Sequence, residues 1–322
     1  MIRPMQRRSF LGTGLAALGM YGSGLGRIAA AARDAVPGGL QIPIGLQLFS
    51  LDAEMHRDLP GTLHAVSAIG YREVELVGYY GLAPEALREQ LENASLECRS
   101  IHIRPLGSPG LLPGLAQDPE RHFGMARKLG VRYLVCPGPW FPDSVARTLP
   151  ASNLSIADIV TAVDRMTAED WRVSAELINR CGQGARRHGL QLLYHNGNLE
   201  FVRRGATTGF DILLRHFDPE SVKLELDCGW VKAAGHDPIR YLKSDAGRIR
   251  LVHIKDMTAT PANTRMVLNP AQIGEGIVDW AALLGAMRSA GVEVAYVEQE
   301  APFARPALEY ARNNLQFLRT IW

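Results

Sequence analysis

The feature that most constrains the fold of this chain is a regular alternation of short apolar runs with helical segments. Eight runs have strand-like composition, and they lie at 42–51, 71–78, 96–103, 131–138, 190–196, 222–227, 249–254 and 292–300. Helical patterns follow most of them, at 59–69, 84–93, 119–129, 168–188, 208–216, 279–290 and 307–318. Strands that alternate with helices favour a parallel sheet, and eight of them predict a single α/β domain, a closed (β/α)8 barrel.

A doubly wound open sheet is the competing architecture. It usually has fewer strands and a glycine-rich phosphate turn after the first one. Here the first strand runs into Asp52-Ala53-Glu54, which is no such turn. Two longer segments, 139–167 and 257–275, interrupt the rhythm, and we interpret both as loops that cover one end of the barrel.

Composition supports one large folded domain and gives little support to nucleic acid binding. Of the 322 residues, 47% are hydrophobic and 21% are charged, which is ordinary for a globular protein. The net charge is only +2, and Lys and Arg never occur in runs longer than two. A nucleic-acid-binding surface normally needs a denser basic patch.

The first 32 residues have the order of an export signal. A twin arginine, Arg7-Arg8, precedes a weakly apolar, glycine-rich stretch and then a run of alanines. This order is typical of a twin-arginine signal peptide, so we expect residues 1–32 to direct the protein through the twin-arginine export machinery to the periplasm, and the barrel to occupy 40–322. The stretch is too short and too rich in glycine for stable membrane insertion. The alternative is a cytoplasmic N-terminal helix with a chance arginine pair.

Polar residues mark the ends of the predicted strands. In (β/α)8 barrels the active site lies at the carboxyl ends of the strands. Read in order, those ends carry Gln47, Glu75, His102, Cys136, His195-Asn196, Asp227, His253 and Glu298. A barrel without a site at this end would not need so many polar residues there.

Asp227, His253 and Glu298 form the best metal-ligand set, because they end the three consecutive strands six, seven and eight. His195 is the fourth candidate, from strand five, and Glu200 in the following loop is its alternative. Carboxylates with imidazoles suit Mn²⁺, Mg²⁺, Zn²⁺ or Co²⁺ without selecting among them. Taken singly, Asp227 could instead cap a helix, His253 could be a hydrogen-bonded core histidine, and His195 could contact substrate.

Other strand-end residues are candidates for catalysis. Glu75 is either a general base or the partner of an arginine, and His102 is either a catalytic substrate contact or a histidine at the edge of the core. Lys255 shares a strand face with His253 and could stabilise an enolate. Glu298 could move a proton as well as bind metal. Glu73 is expected to face the helix layer.

Four further residues are candidates for substrate binding. Trp140 and Trp230 could stack on a sugar ring, although tryptophan is as often part of the core. Gln47 and Asn196 offer amide groups at the ends of strands one and five.

From residue 42 to its C-terminus the chain resembles the xylose isomerase-like barrel family, the sugar phosphate isomerases/epimerases. The resemblance rests on IGLQLFSL, GYREVEL, WRVSAELINRCGQGARRHGLQLLYHN, LELDCGWVKAAGHDP, LVHIKDM, IGEGIVDW and YVEQE, in this order. It implies a TIM barrel with one divalent metal on Asp227, His253, Glu298 and a strand-five residue. Related exported members usually have Tyr-His-Asn-His followed by an acid, where this chain has Tyr194-His195-Asn196-Gly197-Asn198.

The resemblance also implies an activity. We expect a metal-dependent isomerase or epimerase that transfers a proton next to the carbonyl of a keto-sugar. A periplasmic location argues for an unphosphorylated substrate. The alternatives are a 3-keto-glycoside lyase or hydratase at the same site, a non-catalytic sugar-binding barrel and, least supported, an endonuclease of the same fold. The expected partners are a small-molecule sugar, the export machinery and, as an open alternative, a second copy in a homo-oligomer.

Overall fold

The computed structural model of the protein describes residues 42–107, 112–150, 154–259, 266 and 269–322. The twin-arginine segment lies outside the described residues. Within them, no helix has both the length and the apolar character needed to cross a bilayer.

Eight parallel strands close into a barrel, which confirms the predicted (β/α)8 architecture. They are β1 (Ile44–Gln47), β2 (Glu73–Val77), β3 (Glu97–His102), β4 (Tyr133–Pro137), β5 (Gln191–His195), β6 (Val222–Asp227), β7 (Ile249–Ile254) and β8 (Val294–Val297). Each strand pairs with its sequence neighbour, and β1 closes the barrel by pairing with β8. All eight carboxyl ends therefore open at one mouth.

The helices surround the barrel. They are α1 (Asp52–Arg57), α2 (Leu59–Ile69), α3 (Pro84–Asn93), α4 (Pro119–Leu129), α5 (Asp143–Ala146), α6 (Ile156–Arg165), α7 (Ala168–Arg187), α8 (Gly209–His216), α9 (Cys228–Ala233), α10 (Pro238–Ser244), α11 (Trp280–Ala290) and α12 (Ala307–Ile321). Short two-residue strand pairs join Asp256–Met257 to Pro270–Ala271 and Arg203–Arg204 to Thr207–Thr208.

The first strand is shorter than predicted. The residues after Gln47 turn into a 3₁₀ helix, Leu48–Leu51, because the Gln47 side chain accepts a hydrogen bond from the Phe49 N–H and starts the turn. The segment 139–167 also contains structure that we did not predict, since α5 and α6 lie within it. A capping box between Ser155 and Asp158 begins α6.

The barrel has an apolar interior below its mouth, formed by Tyr133, Val135, Leu193, Leu251, Val294 and Tyr296. Our expectation that Glu73 faces the helices is wrong. Glu73 Oε1 accepts a hydrogen bond from the Tyr296 hydroxyl, and Arg99 Nε lies 2.9 Å from Glu73 Oε2. Residues two apart share one face of a strand, so Glu73 follows Glu75 to the same side.

Candidate metal centre and catalytic site

The four predicted metal ligands meet at the mouth of the barrel. His195 and Asp227 are the last residues of β5 and β6, His253 is near the end of β7, and Glu298 directly follows β8. The register pairs Asp227 with His253 across neighbouring strands. All four side chains are buried.

The ligand atoms of these residues face one another. Asp227 Oδ2 lies 3.6 Å from His195 Nε2 and 3.9 Å from His253 Nδ1. His253 Nδ1 lies 2.9 Å from Glu298 Oε2. One ligand atom each from Asp227, His253 and Glu298 fits within 4.8 Å of the others. The strand-end pattern in the sequence thus brings together two carboxylates and two imidazoles, which we call the rim set.

Asp227 also acts as a helix cap, the role that we had weighed as its alternative. Its Oδ1 accepts a hydrogen bond of 2.8 Å from the Trp230 N–H at the start of α9. Its Oδ2 pairs with Lys255 Nζ at 2.9 Å. The cap therefore fixes the carboxylate so that one oxygen faces the histidines.

Sequence reasoning missed a second layer of polar groups below the rim set. Glu225 lies two residues before Asp227 on β6 and is fully buried. Its Oε2 lies 2.7 Å from His102 Nε2, 2.9 Å from His195 Nδ1 and 3.4 Å from His253 Nε2. The alternation in VKLELD could have revealed it, because the same two-residue spacing that points Asp227 inward points Glu225 inward too.

Glu75 belongs to this lower layer. Its Oε2 lies 2.6 Å from His253 Nε2 and 3.2 Å from His102 Nε2, and it accepts a 2.7 Å hydrogen bond from Gln47 Nε2. Glu75 is thus a partner of histidines and of Gln47, whereas we had considered an arginine. We call Glu75 and Glu225 the lower carboxylates.

Lys255 is surrounded by three carboxylates. Its Nζ lies 2.6 Å from Glu298 Oε2 and 2.6 Å from Glu300 Oε1, in addition to its pair with Asp227. The Trp230 ring centroid lies 5.4 Å from the same nitrogen. Sequence reasoning missed Glu300, although it is the last residue of the predicted strand 292–300 and the two-residue spacing from Glu298 puts both on one face.

The two layers set the charge of the histidines. Burial disfavours a charged imidazole, but the Glu75 and Glu225 carboxylates beside His102 raise its pKa to about 9. Burial likewise opposes the charge of His253, yet Glu225 and Glu298 hold its pKa well above the usual range. For His195, burial and the neighbouring cationic His253 and His102 lower the pKa well below that range. His195 is therefore a neutral imidazole, the form that binds metals.

Burial and neighbouring charges also set the pKa values of the acids and of Lys255. Burial raises the pKa of Glu225 to about 7, and the nearby Glu75 charge adds to this. Burial alone would raise the pKa of Glu298, but Lys255 and His253 hold it well below its usual range. Although burial disfavours the Lys255 charge, Asp227 and Glu298 hold its pKa well above the usual value.

The residues present fit a divalent cation. Two carboxylates and two imidazoles suit Zn²⁺, Mn²⁺ or Co²⁺. The buried Asp227 Oδ2 lies 3.6 Å from His195 Nε2 and 3.9 Å from His253 Nδ1, so one carboxylate oxygen faces both imidazoles, as a shared metal would require.

Glu200, the alternative strand-five ligand, has other partners. Its Oε1 accepts a hydrogen bond of 2.8 Å from the Tyr194 hydroxyl, and both of its carboxylate oxygens accept from the Gly197 N–H. Among the described residues, Glu200 is in neither group of ligand atoms that lie within 4.8 Å of one another. His195 is outside the group of Asp227, His253 and Glu298 but belongs to a second one, with His102, Glu225 and His253, and its Nε2 lies 3.6 Å from Asp227 Oδ2. The geometry thus favours His195.

The four residues that we predicted to bind substrate have different surroundings. Trp230 is buried against Ala233 and Met257, and Lys255 Nζ lies 5.4 Å from its ring centroid. Trp140 is buried, with its indole N–H directed to Cys136 Sγ at 2.8 Å, so it belongs to the core. Asn196 Nδ2 donates a hydrogen bond to the Asp227 carbonyl, and Asn196 Oδ1 accepts one from the Asp227 N–H. Gln47 Nε2 donates to Glu75 Oε2, and Gln47 Oε1 accepts from the Phe49 N–H. These two amides hold the site together.

Comparison with known proteins places the chain among related barrels. The family model described as xylose isomerase-like TIM barrel matches residues 63–321. The chain is 29% identical over 167 residues to an inosose dehydratase from Geobacillus thermodenitrificans, which is 48% of this chain and 55% of that protein. The chain thus spans about half the length of the curated relatives that it matches.

Solved structures share the fold. A sugar phosphate isomerase/epimerase from Parabacteroides distasonis has a TM-score of 0.68 at 21% identity, over 87% of this chain and 98% of that chain. The IolI protein with a bound zinc atom has a TM-score of 0.62 at 16% identity, over 87% and 98% of the two chains.

Proposed function

The chain belongs to the xylose isomerase-like TIM barrel family, and from this premise we propose that it is a metal-dependent enzyme that moves a proton at the carbon next to the carbonyl of an unphosphorylated keto-sugar. The observation that carries the proposal is the convergence of the rim set with Lys255 at one mouth. Together they provide metal ligands, a fixed cation and carboxylates that can accept a proton.

His195, Asp227, His253 and Glu298 would hold the metal. A divalent cation there supplies Lewis-acid chemistry, which makes the carbon–hydrogen bond beside a carbonyl more acidic. The neutral His195 and the ionised Glu298 are already in the protonation states that a metal ligand requires.

Lys255 would stabilise negative charge on the substrate oxygen. Because its pKa is held well above the usual value, it stays protonated and acts as a hydrogen-bond donor rather than a base. Its position among three carboxylates fixes its ammonium group before substrate arrives, which is the condition for electrostatic stabilisation of a transition state.

Glu298 and Glu300 flank Lys255 and are the candidates for moving the proton. Glu298 stays ionised, as above, and is a weak base, because Lys255 and His253 stabilise its negative charge. Burial raises the pKa of Glu300, although Lys255 opposes this. A carboxyl with a raised pKa exchanges protons more readily near neutral pH, so Glu300 is the better match.

Elimination of a leaving group is the outcome that the relatives favour. Those that match in sequence are named inosose dehydratases. A dehydratase takes a proton from one carbon and the hydroxyl group from the next, and the two leave as one water molecule. The corresponding reaction here would be a lyase reaction on a cyclic keto-sugar or a 3-keto-glycoside. Isomerisation or epimerisation, our first expectation, needs the same proton abstraction and differs in where the proton returns.

The choice of an unphosphorylated substrate rests on the export pattern at residues 1–32. A periplasmic enzyme meets free sugars and glycosides rather than sugar phosphates. We retain this location, and the twin-arginine route to it, as part of the proposal.

The test is product analysis in D₂O. Metal-loaded protein is incubated with inosose, simple keto-sugars and 3-keto-glycosides, and NMR follows the carbons beside the carbonyl. We expect deuterium at one such carbon, together with loss of water or of the aglycone if the reaction is an elimination, or a new sugar if it is an isomerisation. Sugar binding by calorimetry without exchange or conversion would contradict the proposal and support a non-catalytic barrel.

A further inference from the structure

In both histidines of the rim set, the two ring nitrogens face different carboxylates. His195 directs Nε2 toward Asp227 Oδ2, at 3.6 Å, and Nδ1 down to Glu225 Oε2, at 2.9 Å. His253 directs Nδ1 toward Glu298 Oε2, at 2.9 Å, and Nε2 down to Glu75 Oε2, at 2.6 Å. Each imidazole therefore has one nitrogen at the mouth and the other on a lower carboxylate.

The lower carboxylates are placed where a substrate cannot reach them. Glu75 and Glu225 are both 0% exposed, below the histidines. Burying a carboxylate is costly unless it is hydrogen-bonded and its charge is balanced. His102 Nε2 lies between the two, 2.7 Å from Glu225 and 3.2 Å from Glu75, and provides part of that balance. A barrel interior that needed only packing would hold apolar residues here.

We propose that Glu225 and Glu75 are positioning residues for the metal: each accepts the N–H of one ligand histidine and so fixes which nitrogen faces the cation. A histidine ligand binds through its unprotonated nitrogen, and a carboxylate on the other nitrogen selects that tautomer, orients the ring and increases its basicity. The inference rests on the metal site of the proposed function. It moves Glu75 and His102 from direct catalysis to support of the ligands.

This arrangement matters in this chain because its candidate metal ligand from β5, His195, is a histidine. A carboxylate ligand could turn either oxygen toward a metal, whereas His195 presents the correct nitrogen only in one tautomer and ring orientation. Glu225 provides the partner for that orientation from the adjacent strand β6, which pairs His195 with Glu225 in register.

A second metal on the lower layer is the competing explanation. One ligand atom each from His102, His195, Glu225 and His253 also fits within 4.8 Å of the others. Two cations would then share His253 through both ring nitrogens, and its imidazole would have to lose both protons. The 2.6 Å contact between His253 Nε2 and Glu75 Oε2 is instead the length of a hydrogen bond to a charged group.

Cobalt titration of the full chain tests the proposal. Co²⁺ is added to metal-free wild type and to Glu225→Gln and Glu75→Gln, and the visible d–d absorption and the Kd are recorded. We expect one Co²⁺ per wild-type chain, a 10- to 100-fold weaker Kd in each variant and a changed d–d band. Glu225→Asp, which keeps a carboxylate, should recover part of the affinity. Circular dichroism establishes that each variant is folded.

Glu73→Gln is the matched control, because Glu73 is also a buried glutamate of the barrel interior and its hydrogen bond goes to Tyr296. It should leave the Kd and the band unchanged. Wild-type Kd and band in both Glu225→Gln and Glu75→Gln would overturn the positioning role while leaving the metal site standing. A second equivalent of Co²⁺ that Glu225→Gln alone removes would also overturn it. If wild type binds no Co²⁺, the metal site fails, and this inference fails with it.

Discussion

At the scale of single residues, the site depends on atoms whose direction is set by their neighbours. Asp227 combines two roles that we had treated as alternatives, since one oxygen caps α9 and the other faces His195 and His253. Charge in the site is likewise shared. Their neighbouring carboxylates hold the pKa values of His253 and Lys255 well above the usual range, so both are cationic, whereas the pKa of His195 is lowered and its imidazole is neutral.

The rim set makes a prediction about metal content. In Asp227→Ala and His253→Ala, the bound metal per chain should fall from about one to well below one half, because each removes a ligand that no neighbouring side chain replaces. Elemental analysis of purified protein measures this. His64→Ala, at an exposed histidine of α2, is the control and should keep its metal. Full metal content in both ligand variants would show that the ligands are assigned wrongly.

Glu73 makes a prediction about pH. Burial raises its pKa to about 7 from 4.5, although Arg99 opposes the shift. Between these values the folded protein keeps a proton that the unfolded chain releases, so this stabilisation is complete below pH 4.5 and is lost as the pH rises through 7. From pH 5 to pH 8, wild type should lose on the order of 2 kcal/mol of unfolding free energy relative to Glu73→Gln. Urea denaturation at both pH values measures the difference, and parallel profiles would refute it.

At the scale of elements, the junction between β6 and α9 shapes the catalytic end. Gly229 is the second residue of α9, and a Cβ atom there would lie 2.1 Å from Lys255 Cγ and 2.7 Å from its Cδ. The lysine thus passes directly over the helix start. Only a glycine lets the side chain approach so closely while its Nζ reaches Asp227, Glu298 and Glu300.

Gly229→Ala should therefore displace Lys255 and lower kcat/KM by about 100-fold, the cost expected when a catalytic group moves by about 1 Å. The affinity for Co²⁺ should change by only a few-fold, because the rim set keeps its strands. Steady-state kinetics on the substrate found by product analysis measures the effect. Gly285→Ala in α11, where a Cβ would meet nothing within 4 Å, is the control and should keep full activity. An unchanged kcat/KM in Gly229→Ala would contradict the placement of Lys255.

The sequence predicted the eight strands and most of the long helices because each has a clear apolar period and a recognisable end. It predicted the rim set because residues that end parallel strands must meet at one mouth. It did not predict the partners of Glu225 and Glu75, since the arrangement of β2, β5, β6 and β7 around the barrel determines which histidine each carboxylate meets. Trp140 was misplaced for a similar reason: a tryptophan after a strand can face the mouth or the core.

At the scale of the whole molecule, the barrel places two polar layers above an apolar interior. The rim set and Lys255 lie at the mouth, the lower carboxylates and His102 lie below, and Tyr133, Leu193 and Tyr296 fill the interior beneath them. The candidate ligands and Lys255 thus lie together at one end of the barrel. Because all eight strands of the closed barrel are parallel, their carboxyl ends form one mouth, and the candidate site lies there.

The proposed export signal, residues 1–32, makes a prediction about where the protein is located. Changing Arg7 and Arg8 to lysine should leave the protein in the cytoplasm, because the twin arginine is what the export machinery reads. Fractionation of bacterial cells, with mass spectrometry of the mature N-terminus, measures location and cleavage. Export that persists in the double variant, or a periplasmic protein that still begins at Met1, would argue against the signal.

The central claim is that a metal held by His195, Asp227, His253 and Glu298 enables proton removal beside a sugar carbonyl. The most direct measurement is the rate of deuterium exchange into a keto-sugar in D₂O, recorded by NMR as metal is removed from and returned to the wild-type chain. We predict that exchange stops when a chelator removes the metal and returns as about one equivalent is added back. Exchange that continues at the same rate without metal would contradict the claim.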